Sequence, residues 1–128
     1  MAPKYRILVI DDDTLTRRVL CAALQKMEHT TVEAPTGGAG LHEFKKSQPD
    51  IVITDIMMPD KNGFEAIREM RAANRDVKII AMSGGGTVNN RDVLMTATDL
   101  GAAATISKPF TVDDIRKVLD DVMGTGKP

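Results

Sequence analysis

Two hydrophobic periods alternate along this chain. Short runs rich in aliphatic and β-branched residues recur as "RILVI" (6–10), "TTVEA" (30–34), "DIVITD" (50–55), "VKIIAMS" (77–83) and "AATIS" (103–107). Near-continuous apolar runs of this length are what strands buried on both faces show, and "TTVEA" is the weakest of them. Between the runs the apolar spacing becomes helical. Val19, Leu20, Ala23, Leu24 and Met27 share a face between about Leu15 and Met27. Leu41 and Phe44 mark a poorer helix that follows two glycines, and Phe64, Ile67 and Met70 repeat at three-residue steps. Val93, Leu94, Ala97 and Leu100 mark a helix stopped by Gly101. Ile115, Val118, Leu119 and Val122 form the i, i+3, i+4, i+7 stripe of a last helix, opened by Thr111 and Asp114 as a capping pair. Five strands alternating with five helices through short connections predict an α/β fold: a parallel sheet with helices on both faces.

In such sheets the ligand site lies outside the carboxyl ends of the strands, so what each strand delivers there matters most. The first ends in three carboxylates, Asp11, Asp12 and Asp13; the third ends at Asp55, the fourth at Ser83 and the fifth at Lys108. Each has an ordinary reading taken alone. Asp13 reads as a helix N-cap, Ser83 as a turn residue before three glycines, and Lys108 as an exposed loop lysine. Asp55 closes an apolar strand where no cap is needed. Their convergence on one rim is what carries meaning. Clustered carboxylates need a cation, or one of them must hold a proton. Oxygen donors select a hard ion, and Mg²⁺ combines one or two carboxylates with water and phosphate. A lysine, a hydroxyl and the backbone N–H groups of "SGGG" suit phosphoryl oxygens. The set points to phosphoryl transfer, in which positioning and charge neutralisation carry most of the catalysis.

Composition narrows the classes. Lys plus Arg number 17 against 18 Asp plus Glu, so no basic surface for nucleic acid or for a membrane is indicated. Aromatics are confined to Tyr5, Phe44, Phe64 and Phe110, too few for base-stacking platforms. The lone Cys21 cannot form an internal disulfide, and the opening "MAPKYR" lacks the apolar stretch of a signal peptide, which makes the expected location cytoplasmic. The eight methionines read as core filling, and the isolated His29 and His42 receive no role in metal binding or catalysis. The 128 residues are expected to form one domain, its core spanning about 4–123, with 124–128 a short tail and no output domain.

The ordered set Asp11-Asp12, Asp55, Ser83 and Lys108-Pro109, together with the loop "DIMMPDKNG" carrying Pro59 and Gly63, resembles the receiver domain of two-component response regulators. The resemblance implies a flavodoxin-like (CheY-like) doubly wound sheet in strand order 2-1-3-4-5. It implies that Asp55 takes a phosphoryl group from a histidine kinase or histidine phosphotransfer protein, and that the domain then acts on a downstream target protein. It further implies Mg²⁺ held by Asp12, Asp55 and the backbone carbonyl of Met57, with Asp11 partly through water. Ser83 and Lys108 would take the phosphoryl oxygens. The family often has a cis bond before the proline that follows this lysine. Such a domain is a signalling module, whose only chemistry would be its own phosphorylation and dephosphorylation at Asp55.

One position departs from the family pattern: Thr105 stands where an aromatic switch residue is usual, three before the lysine. The flexible "SGGGT" segment is therefore expected to carry more of the response than the fifth strand. The rival reading is a haloacid-dehalogenase-like Mg²⁺ phosphatase, with Asp11 of "ILVIDDDTLT" as nucleophile and Asp13 as acid; it leaves Asp55 without a role. A degenerate receiver acting only as a docking module is disfavoured, since no site residue is missing.

Overall fold

The computed structural model describes residues 4–56, 63–84 and 90–124. In chain order the elements are β1 (Arg6–Ile10), α1 (Thr14–Lys26), β2 (Thr30–Ala34), α2 (Gly37–Ser47), β3 (Ile51–Asp55), α3 (Gly63–Ala73), β4 (Lys78–Gly84), α4 (Asn90–Asp99), β5 (Ala104–Lys108) and α5 (Val112–Met123). All strand pairs are parallel and the sheet order is β2-β1-β3-β4-β5, as expected for the flavodoxin-like fold.

The absence of alternation in β1 and β3 has a simple cause. Successive side chains point to opposite faces of a strand, and here both faces are covered. Leu8, Ile10, Val52, Ile79 and Ala81 pack with Phe44, Ile67, Met70 and Ala97 from α2, α3 and α4. Ile7, Val9, Ile51, Ile53, Ile80 and Met82 pack with Leu20 and Leu24 of α1 and with Ile115 and Leu119 of α5. Each fully buried aliphatic side chain contributes roughly 1.5–3 kcal/mol, so both layers are needed to hold the strand ends in register.

Two helices differ from the sequence reading in ways that bear on the site. The buried positions of α1 are Arg17, Leu20, Cys21 and Leu24, while Val19 is 58% exposed. The stripe is rotated from the expected one because the Arg17 side chain turns inward. In α2 the glycines lie inside the first turn: Thr36 is the N-cap, its hydroxyl accepting from the Ala39 N–H at 3.0 Å. Gly40 answers a packing need, since a Cβ there would sit 2.4 Å from Cδ1 of Ile10. The helix thus presses directly on the last residue of β1. The capping box of Thr111 and Asp114 forms as expected, and Gly101, at φ +120°, follows α4.

Candidate phosphoryl-transfer site

The register brings the polar residues together. Ile10 pairs with both Ala34 and Thr54, so Asp11 and Asp55 leave adjacent strands side by side. Asp55 pairs with Met82, Ser83 with Ser107, and Gly84 with Lys108, which places Ser83 and Lys108 on the same rim. Asp11, Asp12 and Asp55 each present a carboxylate oxygen within 4.8 Å of the others. At such separations each like-charge pair costs on the order of 1 kcal/mol in water and more against protein.

Lys108 offsets part of that repulsion. Its Nζ donates to Asp11 Oδ2 at 2.7 Å and to Asp55 Oδ2 at 3.2 Å. Partial burial alone would lower the lysine's pKa, but the bond to Asp11 and the charges of Asp55 and Asp11 outweigh it and hold the pKa above the ordinary lysine range. Asp11 is fully buried, and its other carboxylate oxygen accepts the Asp13 N–H at 2.9 Å. Asp55 and Ser83 are buried as well, at 7% and 1% exposure, whereas Asp12 faces solvent.

Asp13 serves the helix. Its carboxylate accepts from the Thr16 N–H at 3.2 Å and from the Thr16 hydroxyl, and these bonds, the hydroxyl's first, lower its pKa below the usual aspartate value. Two of the three consecutive aspartates therefore join the cluster and the third caps α1, as expected. The donor set suits a hard divalent cation. Three carboxylates face one lysine, all the donors are oxygens, and the exposed Asp12 leaves room for water to complete a coordination shell. Met57, Pro59, Gly85, Gly86 and Thr87 lie outside the described residues.

A family model, the response regulator receiver domain, matches residues 7–120. The chain belongs to that family. It is 30% identical over 111 residues to sporulation initiation phosphotransferase F of Bacillus subtilis (strain 168), an alignment covering 87% of each protein. It is 33% identical over 120 residues to the probable transcriptional regulator ycf27 of Porphyridium aerugineum, covering 94% of this chain and 48% of that protein. The chain thus spans about half the length of that regulator. Among solved structures, a response regulator receiver domain protein from Clostridium thermocellum aligns with a TM-score of 0.85 and 27% identity, over 95% of this chain and 96% of that one. NtrX from Brucella abortus aligns with a TM-score of 0.89 and 25% identity, over 98% of this chain and 28% of that one.

Receiver domains are signalling modules of two-component response regulators, and the phosphatase reading is not favoured. The geometry agrees, because both oxygens of Asp11 are engaged and the residue is sealed from solvent, a poor setting for a nucleophile. Among the described residues no helix is long and apolar enough to cross a membrane. The Lys108-Pro109 peptide of this receiver is cis.

Two features escaped the sequence reading. Arg17, 9% exposed, donates from Nη1 to the Asp11 carbonyl at 2.8 Å and from Nε to Glu33 Oε1 at 3.0 Å. "RR" in a helix reads as a solvated face; the signal was its place four residues before Cys21 and three before Leu20, on the buried stripe. The second is an apolar groove of about 480 Å³ beside the site, lined by Leu15, Thr16, Val19, Lys108, Pro109 and Phe110. Leu15 and Val19 are 72% and 58% exposed there.

Proposed function

We propose that this receiver domain is a phosphorylation switch in which Asp55 is the phosphoacceptor. The carrying observation is that Asp55 ends β3 against two further carboxylates and within hydrogen-bonding distance of Lys108. A carboxylate oxygen of Asp55 attacks the phosphorus of a phosphohistidine; an acyl phosphate bond forms, and the P–N bond to the donor imidazole breaks. Asp12, Asp55 and the Met57 carbonyl would hold Mg²⁺, with Asp11 acting partly through water. Bound there, the ion would supply charge neutralisation for the incoming phosphoryl oxygens. Lys108 and the Ser83 hydroxyl bind those oxygens once transfer is complete. Hydrolysis of the same acyl phosphate resets the switch.

The donor is a histidine kinase or a histidine phosphotransfer protein, and the exposed apolar groove around Leu15 and Val19 offers it a place to dock next to Asp55. Residues 4–123 act as one receiver unit in the cytoplasm and signal to a downstream target protein; nucleic acid and membrane are not direct partners. Cys21 fits that location as a packing residue, for it is buried, and burial raises its thiol pKa to about 11. On β5, Thr105 has no ring to swing, so Ser83→Ala should blunt the response to phosphorylation more than Thr105→Ala. Mass mapping after treatment with acetyl phosphate and Mg²⁺ tests the central claim. Label should fall on Asp55 alone and vanish in Asp55→Asn; label on Asp11 would overturn the assignment.

A further inference from the structure

We infer that Arg17 is a positioning residue, which holds the acidic turn so that Asp12 faces the same cation as Asp55. The inference rests on the reading of the carboxylate cluster as a Mg²⁺ site. The carbonyl that Arg17 holds at 2.8 Å belongs to the peptide unit joining Asp11 to Asp12. That unit is planar, so fixing its oxygen fixes the plane that contains the Asp12 nitrogen and Cα. The rest of the turn is already tied. The Asp11 N–H donates to the Ala34 carbonyl at 3.2 Å, and the Asp11 carboxylate is held by the Asp13 N–H and by Lys108. Asp12 is the exposed member of the cluster, and its Cα lies between two held peptide units: the 12–13 unit is tied within the turn through the Asp13 N–H, and the 11–12 unit is tied from outside the turn by Arg17.

Arg17 is itself aimed from two sides. It lies in the first turns of α1 with its side chain 11% exposed, and its Nε is bonded to Glu33 on β2. A guanidinium presents donors in a rigid fork and can meet a carbonyl and a carboxylate together; an ammonium on a flexible stem does not reproduce this. The clamp therefore joins the end of β1, the start of α1 and β2 at the edge of the cation site.

The sign of one effect separates positioning from simple charge. Arg17 is a cation close to a cation site, so by Coulomb's law alone its removal should tighten Mg²⁺ binding. Loss of positioning should weaken it. Partners that orient metal ligands without touching the metal change affinity by about tenfold or more. The test is a Mg²⁺ titration followed through the NMR shifts of the Asp12 and Asp13 amides in the parent, Arg17→Gln, Arg17→Lys and Glu33→Asp. The last keeps the charge but shortens the reach by one methylene, at a side chain that is partly exposed.

The expected result is binding weakened by about tenfold in both Arg17 variants, and by about two- to threefold in Glu33→Asp, where the carbonyl bond survives. Amide exchange at Asp12 and Asp13 should quicken in the metal-free variants while residues 7–10 stay protected. Arg17→Gln binding as tightly as the parent, or more tightly, would overturn the inference and leave the cation site standing. A uniform loss of protection through β1 would also overturn it, as a purely structural role. A parent that binds no Mg²⁺ removes the cation reading and the inference with it. Should Arg17→Gln not fold, Arg17→Lys and Glu33→Asp decide by the same comparison.

Discussion

The acidic cluster divides into a buried half and an open half. On the buried side Asp11 is sealed from solvent with both carboxylate oxygens bonded, and Lys108 ties it to Asp55. On the open side Asp12 faces water within 4.8 Å of the same carboxylates. Adjacent residues of one type thus have opposite energetic roles. A buried charge that loses its partner is costly, because water cannot replace that partner. An exposed charge that loses its neighbours gains, because only repulsion is removed. The difference shows how one site can be both rigid and available: the buried half sets the geometry, and the open half admits a ligand.

The strongest way to break this comparison is to remove Lys108. Lys108→Ala leaves Asp11 and Asp55 facing each other without their shared cation. Breaking a buried pair costs about 3–5 kcal/mol, discounted here to about 2–3 because the lysine is one-fifth exposed. Urea unfolding in metal-free buffer should show that loss, and added Mg²⁺ should recover more stability in the variant than in the parent. A variant as stable as the parent would mean that Asp11 and Asp55 do not depend on the lysine.

Asp12→Ala sharpens the comparison from the other side. It should weaken Mg²⁺ binding by at least the roughly tenfold that follows loss of an orienting partner. In metal-free buffer its Tm should nevertheless rise by about 1–2 °C, since one of three like charges is gone. Calorimetry with EDTA and with Mg²⁺ would measure both signs, and a fall in the metal-free Tm would contradict the description of Asp12 as the open member.

The smallest effect on cation binding belongs to Asp13, which shares the run but not the cluster. Asp13→Ala should lower Tm by about 4 °C through loss of the helix cap, and should leave Mg²⁺ affinity within about twofold of the parent. The pH dependence follows from its lowered pKa. The cap's contribution is complete above the ordinary aspartate value near 3.8 and is lost as pH falls through the lower folded value. The gap in Tm between parent and Asp13→Ala should therefore stay constant from pH 7 to about 4.5 and close only under stronger acid. A gap that closes near neutrality would assign the effect to another group.

How much was legible before the structure differs from residue to residue. The strands and the delivery of Asp11, Asp55, Ser83 and Lys108 to one rim follow from local pattern plus the handedness of crossovers, and all four stand there in the structure. Asp13 was readable as a cap because capping depends on residues only three apart, Asp13 and Thr16. The face of α1 was misjudged because Val19 is apolar and Arg17 charged, and hydropathy alone ranks them in the wrong order for burial. The groove around Leu15 and Val19 was likewise invisible: its other wall, Pro109 and Phe110, lies about ninety residues away in sequence.

The sequence by itself determined the alternation of elements, the fold class and the set of residues that meet at the strand ends, because hydrophobic period and chain order act over short distances. Only the tertiary structure decided that Asp11 is buried while Asp12 is open, that Lys108 spans two strands to bond both Asp11 and Asp55, and that Arg17 reaches back to hold the Asp11 carbonyl. Those outcomes depend on which polar groups lose water together. That is settled by where the fold brings the ends of β1, β3 and β5 and the start of α1 together, not by any local preference of the residues themselves.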